Sequence, residues 1–145
     1  MKIVRMMIFA ASAMLLQAGG GFWLELGNPV ASKDPAAKNA AVLVRAIGCG
    51  EPTQAGITAT AEGIVNGERK TIPAKLVALG ERGLYAVERS WPKEGKWLLH
   101  IRGSYMGRDT STVAHVLANG EVKRPGKLLQ NHVSASEIDA MVRAE

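Results

Sequence analysis

Apolar and polar residues alternate along the chain from Ala41 to Ala118, in short runs that turn residues separate. A period of two residues is typical of strands that bury one face. The strands that this pattern predicts are 41–47, 57–65, 70–77, 83–90, 96–103 and 111–118, with one further candidate near 23–26. Because turn signals recur about every ten residues, we expect an all-β fold, an immunoglobulin-like β-sandwich of about seven strands with its core in residues 40–118.

Two turns and one proline decide how the predicted strands pair. Asn66-Gly67 is the strongest short hairpin signal, because both residues accept positive φ in a type I′ turn. Pro73 removes one backbone donor, which predicts an edge strand or a bulge. Gly107-Arg108 fits a type II′ turn, and the register that follows from it places His100 directly opposite His115.

The chain changes character on both sides of the predicted sandwich. Residues 19–39 are expected to be a linker or a first strand, because prolines and small polar residues are frequent there. Residues 119–145 are expected to be a tail in which 121–131 shows no period and a capping box from Ser134 to Glu137 starts a short helix. We expect the apolar stripe of this helix to rest on the sandwich, docking on a partner being the alternative.

The first residues of the chain predict export. Lys2 and Arg5 precede the uncharged run 6–16, which has the length of a secretory apolar region and is too short to span a bilayer by itself. We expect a signal peptide over residues 1–18, a later cleavage close to Ala31 being the alternative. Left uncleaved, the segment would be a membrane anchor, which is the only membrane contact that the sequence predicts. The protein is therefore expected in the periplasm or outside the cell.

Composition limits the classes of partner. With 145 residues, 47% of them apolar, the chain is long enough for one domain with a core. The formal net charge is +5, but the longest run of Lys and Arg is the pair Lys123-Arg124. Nucleic-acid binding needs clustered positive charge, so we expect no nucleic-acid partner. Cys49 is the single cysteine, so the chain cannot form an internal disulfide. We expect Cys49 to be a small, partly buried residue at a strand end, a metal-ligating or redox thiol being the alternative.

The stretch GLYAVERSWPKEGKWLLHIRGSY, residues 83–105, holds either a catalytic loop or a corner between two strands. Pro92 has a fixed φ and Gly95 a flexible backbone, as a chain reversal needs. No nucleophile with a neighbouring base lies between them, so we interpret the stretch as a corner. In the strand that follows, the set expected to face the core is Trp97, Leu99 and Ile101, and the set expected to face solvent or a second partner is Leu98, His100 and Arg102.

The same stretch resembles exported immunoglobulin-like sandwiches, in particular the YtkA-like (FixH-type) domains, which carry a G-x-Y strand and then a Pro-x-x-Gly-x-Trp turn into an apolar strand. The residues that carry the resemblance are Gly83, Tyr85, Pro92, Gly95 and Trp97, followed by Leu99 and Ile101. The stretch 94–97 also looks like the Asp-x-Gly-x-Tyr corner that opens strand F of immunoglobulin domains. The resemblance implies an exported immunoglobulin-like sandwich; the cysteine pair of antibody domains is absent.

His100 and His115 are the candidate metal ligands. Side chains directly opposite each other on paired strands have Cβ atoms roughly 5 Å apart, within range for two imidazoles to share zinc or copper. The sequence identifies no third ligand. Two surface histidines without a metal are the alternative.

No combination of residues predicts an enzyme. The chain has no interpretable Ser-His-Asp order, no glycine-rich phosphate loop after a strand and no paired acids in an expected cleft. We therefore expect no catalytic residues and no cofactor apart from the possible zinc or copper. The leading interpretation is an exported, non-catalytic binding module for an unknown protein or surface component, which it would contact through an edge strand or loops. A metal carrier that uses His100 and His115 is the alternative, and an enzyme on the same scaffold is a third.

Overall fold

The computed structural model describes residues 21–130 and 133–144, which form two antiparallel β-sheets and one helix. The elements are β1 Phe22–Gly27, β2 Ala40–Gly48, β3 Gly56–Val65, β4 Glu68–Pro73, β5 Leu76–Ala78, β6 Leu84–Glu88, β7 Lys96–Tyr105, β8 Arg108–His115, β9 Lys127–Gln130 and α1 Ala135–Arg143. One sheet has the order β1-β2-β6-β5 and the other the order β4-β3-β7-β8-β9. With strand letters A to G, these orders are ABED and C′CFG plus one added strand, which is the immunoglobulin arrangement. The predicted fold class is confirmed.

The core lies between the two sheets, where the predicted two-residue period places it. Val42, Val44 and Val87 of the first sheet meet Leu99 and Ile101 of the second, and all five are fully buried. Each member of this set alternates with a residue on the opposite face of its strand, as the pleat of a strand requires. Strands β6 and β7, which flank the corner, lie in opposite sheets.

The outer face of the five-stranded sheet is covered by α1 at one end. Ile138 and Val142, two members of the predicted stripe, pack against Leu98 and Val113 of β7 and β8. Ser134 caps the helix through the predicted capping box. The expectation that the stripe rests on the sandwich is confirmed. The expectation that Leu98, His100 and Arg102 face solvent or a second partner is wrong for Leu98 and His100, which are buried on the face that α1 partly covers, whereas Arg102 is exposed.

Three local predictions are wrong. The predicted strand 70–77 is two strands, because the chain leaves the edge of one sheet after Pro73 and enters the edge of the other at Leu76. Pro73 does end an edge strand, as expected. The tail residues Lys127–Gln130 form β9 beside β8. No alternation marks them, because three of the four residues of this edge strand are exposed.

The third error concerns the hairpin between β7 and β8. Its central residues are Met106 and Gly107, both with positive φ (48° and 72°), and Tyr105 pairs with Arg108. This is the type I′ form, whose twist matches the flanking strands. The sequence analysis placed the turn one residue later because Gly107 at the first central position fits a type II′ turn. Positive φ at Met106 has a local cost, and the pairing along all of β8 outweighs it.

The stretch 91–95 is a corner that Trp97 closes. The indole Nε1 of Trp97, which is 5% exposed, donates a hydrogen bond to the carbonyl oxygen of Glu94 at 2.9 Å. In immunoglobulin domains a tyrosine at the start of strand F makes an equivalent bond to the backbone a few residues upstream. Gly63 of β3 pairs with Trp97, and the indole ring lies across the space that a Cβ at Gly63 would occupy.

The predicted signal peptide, residues 1–18, lies outside the described residues, as do 19, 20, 131, 132 and 145. Within the described part of the chain, no helix has the length and apolar character needed to cross a membrane.

We predict that Gly63→Ala destabilises the protein by about 1–3 kcal/mol, because the added methyl group would overlap the Trp97 ring and lie 2.6 Å from the carbonyl oxygen of Lys96. Gly56→Ala is the matched control on the same strand, since the nearest atom to a Cβ there is 3.9 Å away. Urea unfolding followed by fluorescence measures both changes. Equal stability of the two variants would contradict the tight contact between Gly63 and Trp97.

Candidate functional site

The two predicted metal ligands lie on one face of the five-stranded sheet but are not opposite each other. His100 pairs with Val113, and His115 pairs with Leu98. The predicted register is therefore wrong by two residues, a direct consequence of the type I′ turn at Met106-Gly107. A shift of two residues leaves the face of each side chain unchanged and moves the histidines to diagonal positions, whose typical separation is about 7–8 Å.

His100 is turned away from His115. Its side chain is buried, with the residue 6% exposed, and its Nε2 lies 3.1 Å from the Oγ of Ser111. Ser111 and His115 flank Val113 on opposite sides along β8, so a ring that reaches Ser111 points to the far side. Among the residues that the structure describes, no three His, Cys, Asp or Glu side chains come close enough to hold a metal ion.

A buried carboxylate that sequence reasoning missed lies near His100 on the same face. Glu62 of β3 is 7% exposed and accepts hydrogen bonds from Thr60 Oγ1 (2.8 Å), Thr71 Oγ1 (2.5 Å) and Arg69 Nη2 (3.0 Å). A sequence signal existed, because Glu62 is the one charge in an otherwise uncharged run from 52 to 67. Burial acts to raise the pKa of Glu62, but the three donors together outweigh it and hold the pKa below its ordinary value.

The same arginine ties the sheet to the helix. Arg69 Nε donates to Asp139 Oδ1 at 3.0 Å, and Arg143 Nε donates to Asp139 Oδ2 at 2.8 Å. Hydrogen bonds from Arg143 and then Arg69 lower the pKa of Asp139. A cleft of about 360 Å³ beside this network is lined in part by Thr60, Glu62, Arg69 and Thr71, which already bond to one another. We therefore assign the network to the attachment of α1.

A larger cleft lies at the corner. It has a volume of about 690 Å³ and runs between the corner loop that follows β6 and the turn that follows β8. Its side-chain walls include Arg89, Trp91, Lys93, Lys96, Trp97, His115, Leu117 and Val142 of α1. The turn is held by a hydrogen bond from Leu117 N to Glu121 O at 2.8 Å, and by a bridge between Val116 and Val122. We call this volume the corner cleft.

A second cleft of about 380 Å³ adjoins the corner cleft, and Leu98 and His115 line both. It lies between α1 and the chain that leads into β9, where the bond between Arg124 and Pro125 is cis. Its other side-chain walls include Val113, Lys123, Arg124, Lys127 and Met141. We call this volume the tail cleft. Among the described residues that line either cleft, none is acidic.

Cys49 lies far from both clefts in the fold. It follows the last residue of β2 and its thiol is exposed, so the position at a strand end is as expected and the partial burial is not. It lines neither cleft and belongs to no group of metal ligands among the described residues.

Comparison of the chain with family models, with curated proteins and with solved structures finds no match in any of the three.

We predict that Glu62→Gln destabilises the protein at neutral pH by about 1–3 kcal/mol, because it removes the buried charge to which three donors are hydrogen-bonded. A carboxylate with a lowered pKa stabilises the fold above its unfolded pKa, and this stabilisation is lost as the pH falls through the folded value. The stability difference between the protein and the variant should therefore shrink below about pH 4.5.

Glu68→Gln is the matched control, because Glu68 is exposed and its carboxylate is 3.7 Å from Lys70. Its effect should stay within about 0.5 kcal/mol. Urea unfolding between about pH 7 and about pH 3 measures all three proteins. A difference for Glu62→Gln that is constant over this range would contradict the charged network.

We also predict that His115→Ala leaves zinc and copper binding of the purified protein unchanged, because His100 is directed towards Ser111 and away from His115. Titration calorimetry with each metal measures this. Loss of a stoichiometric site in the variant would restore the histidine pair as a metal site.

Proposed function

We propose that this protein is an exported, non-catalytic binding module that holds a protein or surface component of the outer compartment in the corner cleft. Export rests on the charged and apolar pattern of residues 1–18. The observation that carries the binding function is the corner cleft itself, a concave volume of about 690 Å³ between two loops. This volume lies within the usual range of ligand sites, about 300–1,000 Å³.

The composition of the corner cleft supports binding. Trp91 is half-buried and packs on the core, so its ring is held in place, and the exposed Leu117 faces the same volume. Aromatic and apolar walls combined with a few charged groups are typical of recognition sites.

The absence of catalysis is part of the proposal. The titratable groups around the corner cleft are cations and His115. A histidine that acts as a general base is usually oriented by a carboxylate, and none of the described residues that line this cleft is acidic. Metal binding by His100 and His115 stays a prediction, because no observation favours it over binding in the corner cleft. The resemblance to YtkA-like domains also stays a prediction.

A capture experiment tests the proposal. The purified protein, immobilised and incubated with the soluble and membrane fractions of the outer compartment, should retain a defined component that Leu117→Asn retains several-fold less. Leu117 is 43% exposed, so the variant should fold. Met106→Asn is the matched control, because Met106 is 83% exposed at the tip of the hairpin between β7 and β8, and asparagine accepts its positive φ.

Equal retention by the protein and by Leu117→Asn would overturn the assignment of the binding site to the corner cleft. Retention that Met106→Asn abolishes would move the site to the opposite end of the sandwich.

A further inference from the structure

Two spatial groups stand out among the cations of the described residues, while others, such as Lys33, Arg82 and Arg102, lie elsewhere on the surface. One group is neutralised, and its ion pairs join Arg45 to Glu81, Arg69 to Glu62 and Asp139, Lys70 to Glu68, Lys75 to Glu88, and Arg143 to Asp139. The other group surrounds the corner cleft and the tail cleft. Arg89, Lys93, Lys123, Arg124 and Lys127 are all exposed, and none of them makes an ion pair with another described residue.

The two clefts form one continuous basic surface. Arg89 and Lys93 line the corner cleft, Lys123, Arg124 and Lys127 line the tail cleft, and the clefts meet at Leu98 and His115. Like charges that outnumber the acidic groups beside them repel one another and raise the potential of the surface between them. A concave surface with this potential attracts and orients an anionic ligand.

Two acidic side chains lie beside this surface and offset part of its charge. Asp34 and Glu121 line a neighbouring cleft of about 760 Å³ that also includes Arg89, Lys123 and Arg124, whereas Lys93 and Lys127 do not line that cleft. Glu94 lies in the corner loop and offers its carbonyl oxygen to Trp97, and its side chain lines neither cleft.

We propose that the corner cleft and the tail cleft together bind an extended acidic peptide segment of a partner protein, in which carboxylates alternate with apolar side chains. This inference rests on the proposed binding function and names its ligand. The carboxylates would meet Lys93 and Arg89 at one end and Lys127 and Arg124 at the other, and an apolar side chain would contact Trp91 and Leu117. Charged groups that surround an aromatic anchor are the usual arrangement at a peptide or protein interface.

The shape of the surface favours a chain segment over a membrane. An anionic bilayer needs a protruding surface to contact, whereas here the apolar residues lie inside a concave volume behind a rim of exposed cations. A nucleic acid would need phosphate contacts along a longer basic stripe, whereas the cations of the corner cleft and the tail cleft lie at one end of the sandwich.

Fluorescence anisotropy with a labelled peptide of alternating glutamate and leucine tests the inference on the full purified chain. The peptide should bind, and a glutamine–leucine peptide of the same length should bind at least about tenfold more weakly. The double substitution Lys93→Glu with Lys127→Glu should weaken binding of the acidic peptide by at least about tenfold, and the affinity should fall several-fold as salt is raised from about 50 to about 200 mM.

The matched control is Arg82→Glu with Arg102→Glu, which makes the same change in net charge at two exposed arginines that line neither cleft. The affinity of this control for the acidic peptide should stay within about twofold of the affinity of the unmodified protein. Thermal unfolding should confirm that both double variants are folded. Equal losses in the two double variants would overturn the inference, because they would show a response to net charge alone.

Two further arms decide the class of ligand. Anionic lipid vesicles and a single-stranded oligonucleotide should bind more weakly than the acidic peptide, and tighter binding of either would overturn the peptide assignment. Failure of every anion to bind would overturn it as well. In that case, if Leu117→Asn still retains less of the component in the capture experiment, the corner cleft remains the binding site, and its ligand has a different chemistry.

Discussion

Strand β7 is buried on both of its faces, and this double burial is the constraint on which the rest of the structure depends. Leu99 and Ile101 lie in the core between the sheets, while Leu98 and His100 lie on the outer face that α1 partly covers. Burial of a leucine or isoleucine side chain contributes roughly 1.5–3 kcal/mol, so neither face can be exposed without a large loss of stability. A central strand of this kind needs a layer on each side, and the C-terminal helix supplies the second one.

The helix also builds the candidate site. Val142 forms part of the corner cleft, and Met141 and Ala144 form part of the tail cleft, so both volumes exist because α1 is packed on the sheet. The Glu62–Arg69–Asp139 network fixes the position of the helix from the other side of its axis, through charged groups that are paired and hydrogen-bonded. The attachment of the helix and the two candidate clefts are therefore parts of one structural unit at this end of the molecule.

Paired and unpaired charges lie in different parts of the molecule. Ion pairs lie along the strands and the helix, where neighbouring elements bring opposite charges together. Unpaired cations lie in the loops around the two clefts, where they are solvated and cost little in the absence of a ligand. Because they are solvated and exposed, their effect is long-ranged attraction and selection of anionic partners more than stability.

The sequence by itself determined the fold class, most strand positions and the inward set Trp97, Leu99 and Ile101, because these depend on local alternation and on turn residues. It could not determine the hairpin register, the sheet membership of 70–77 or strand β9, because each is selected by pairing energy summed over whole strands. The basic surface could not be predicted for a related reason. Arg89 and Lys93 lie between β6 and β7, whereas Lys123 and Arg124 lie between β8 and β9 and Lys127 begins β9. Charges that are distant along the chain become one field only when the packing of β7, β8 and α1 brings their loops to one end of the sandwich.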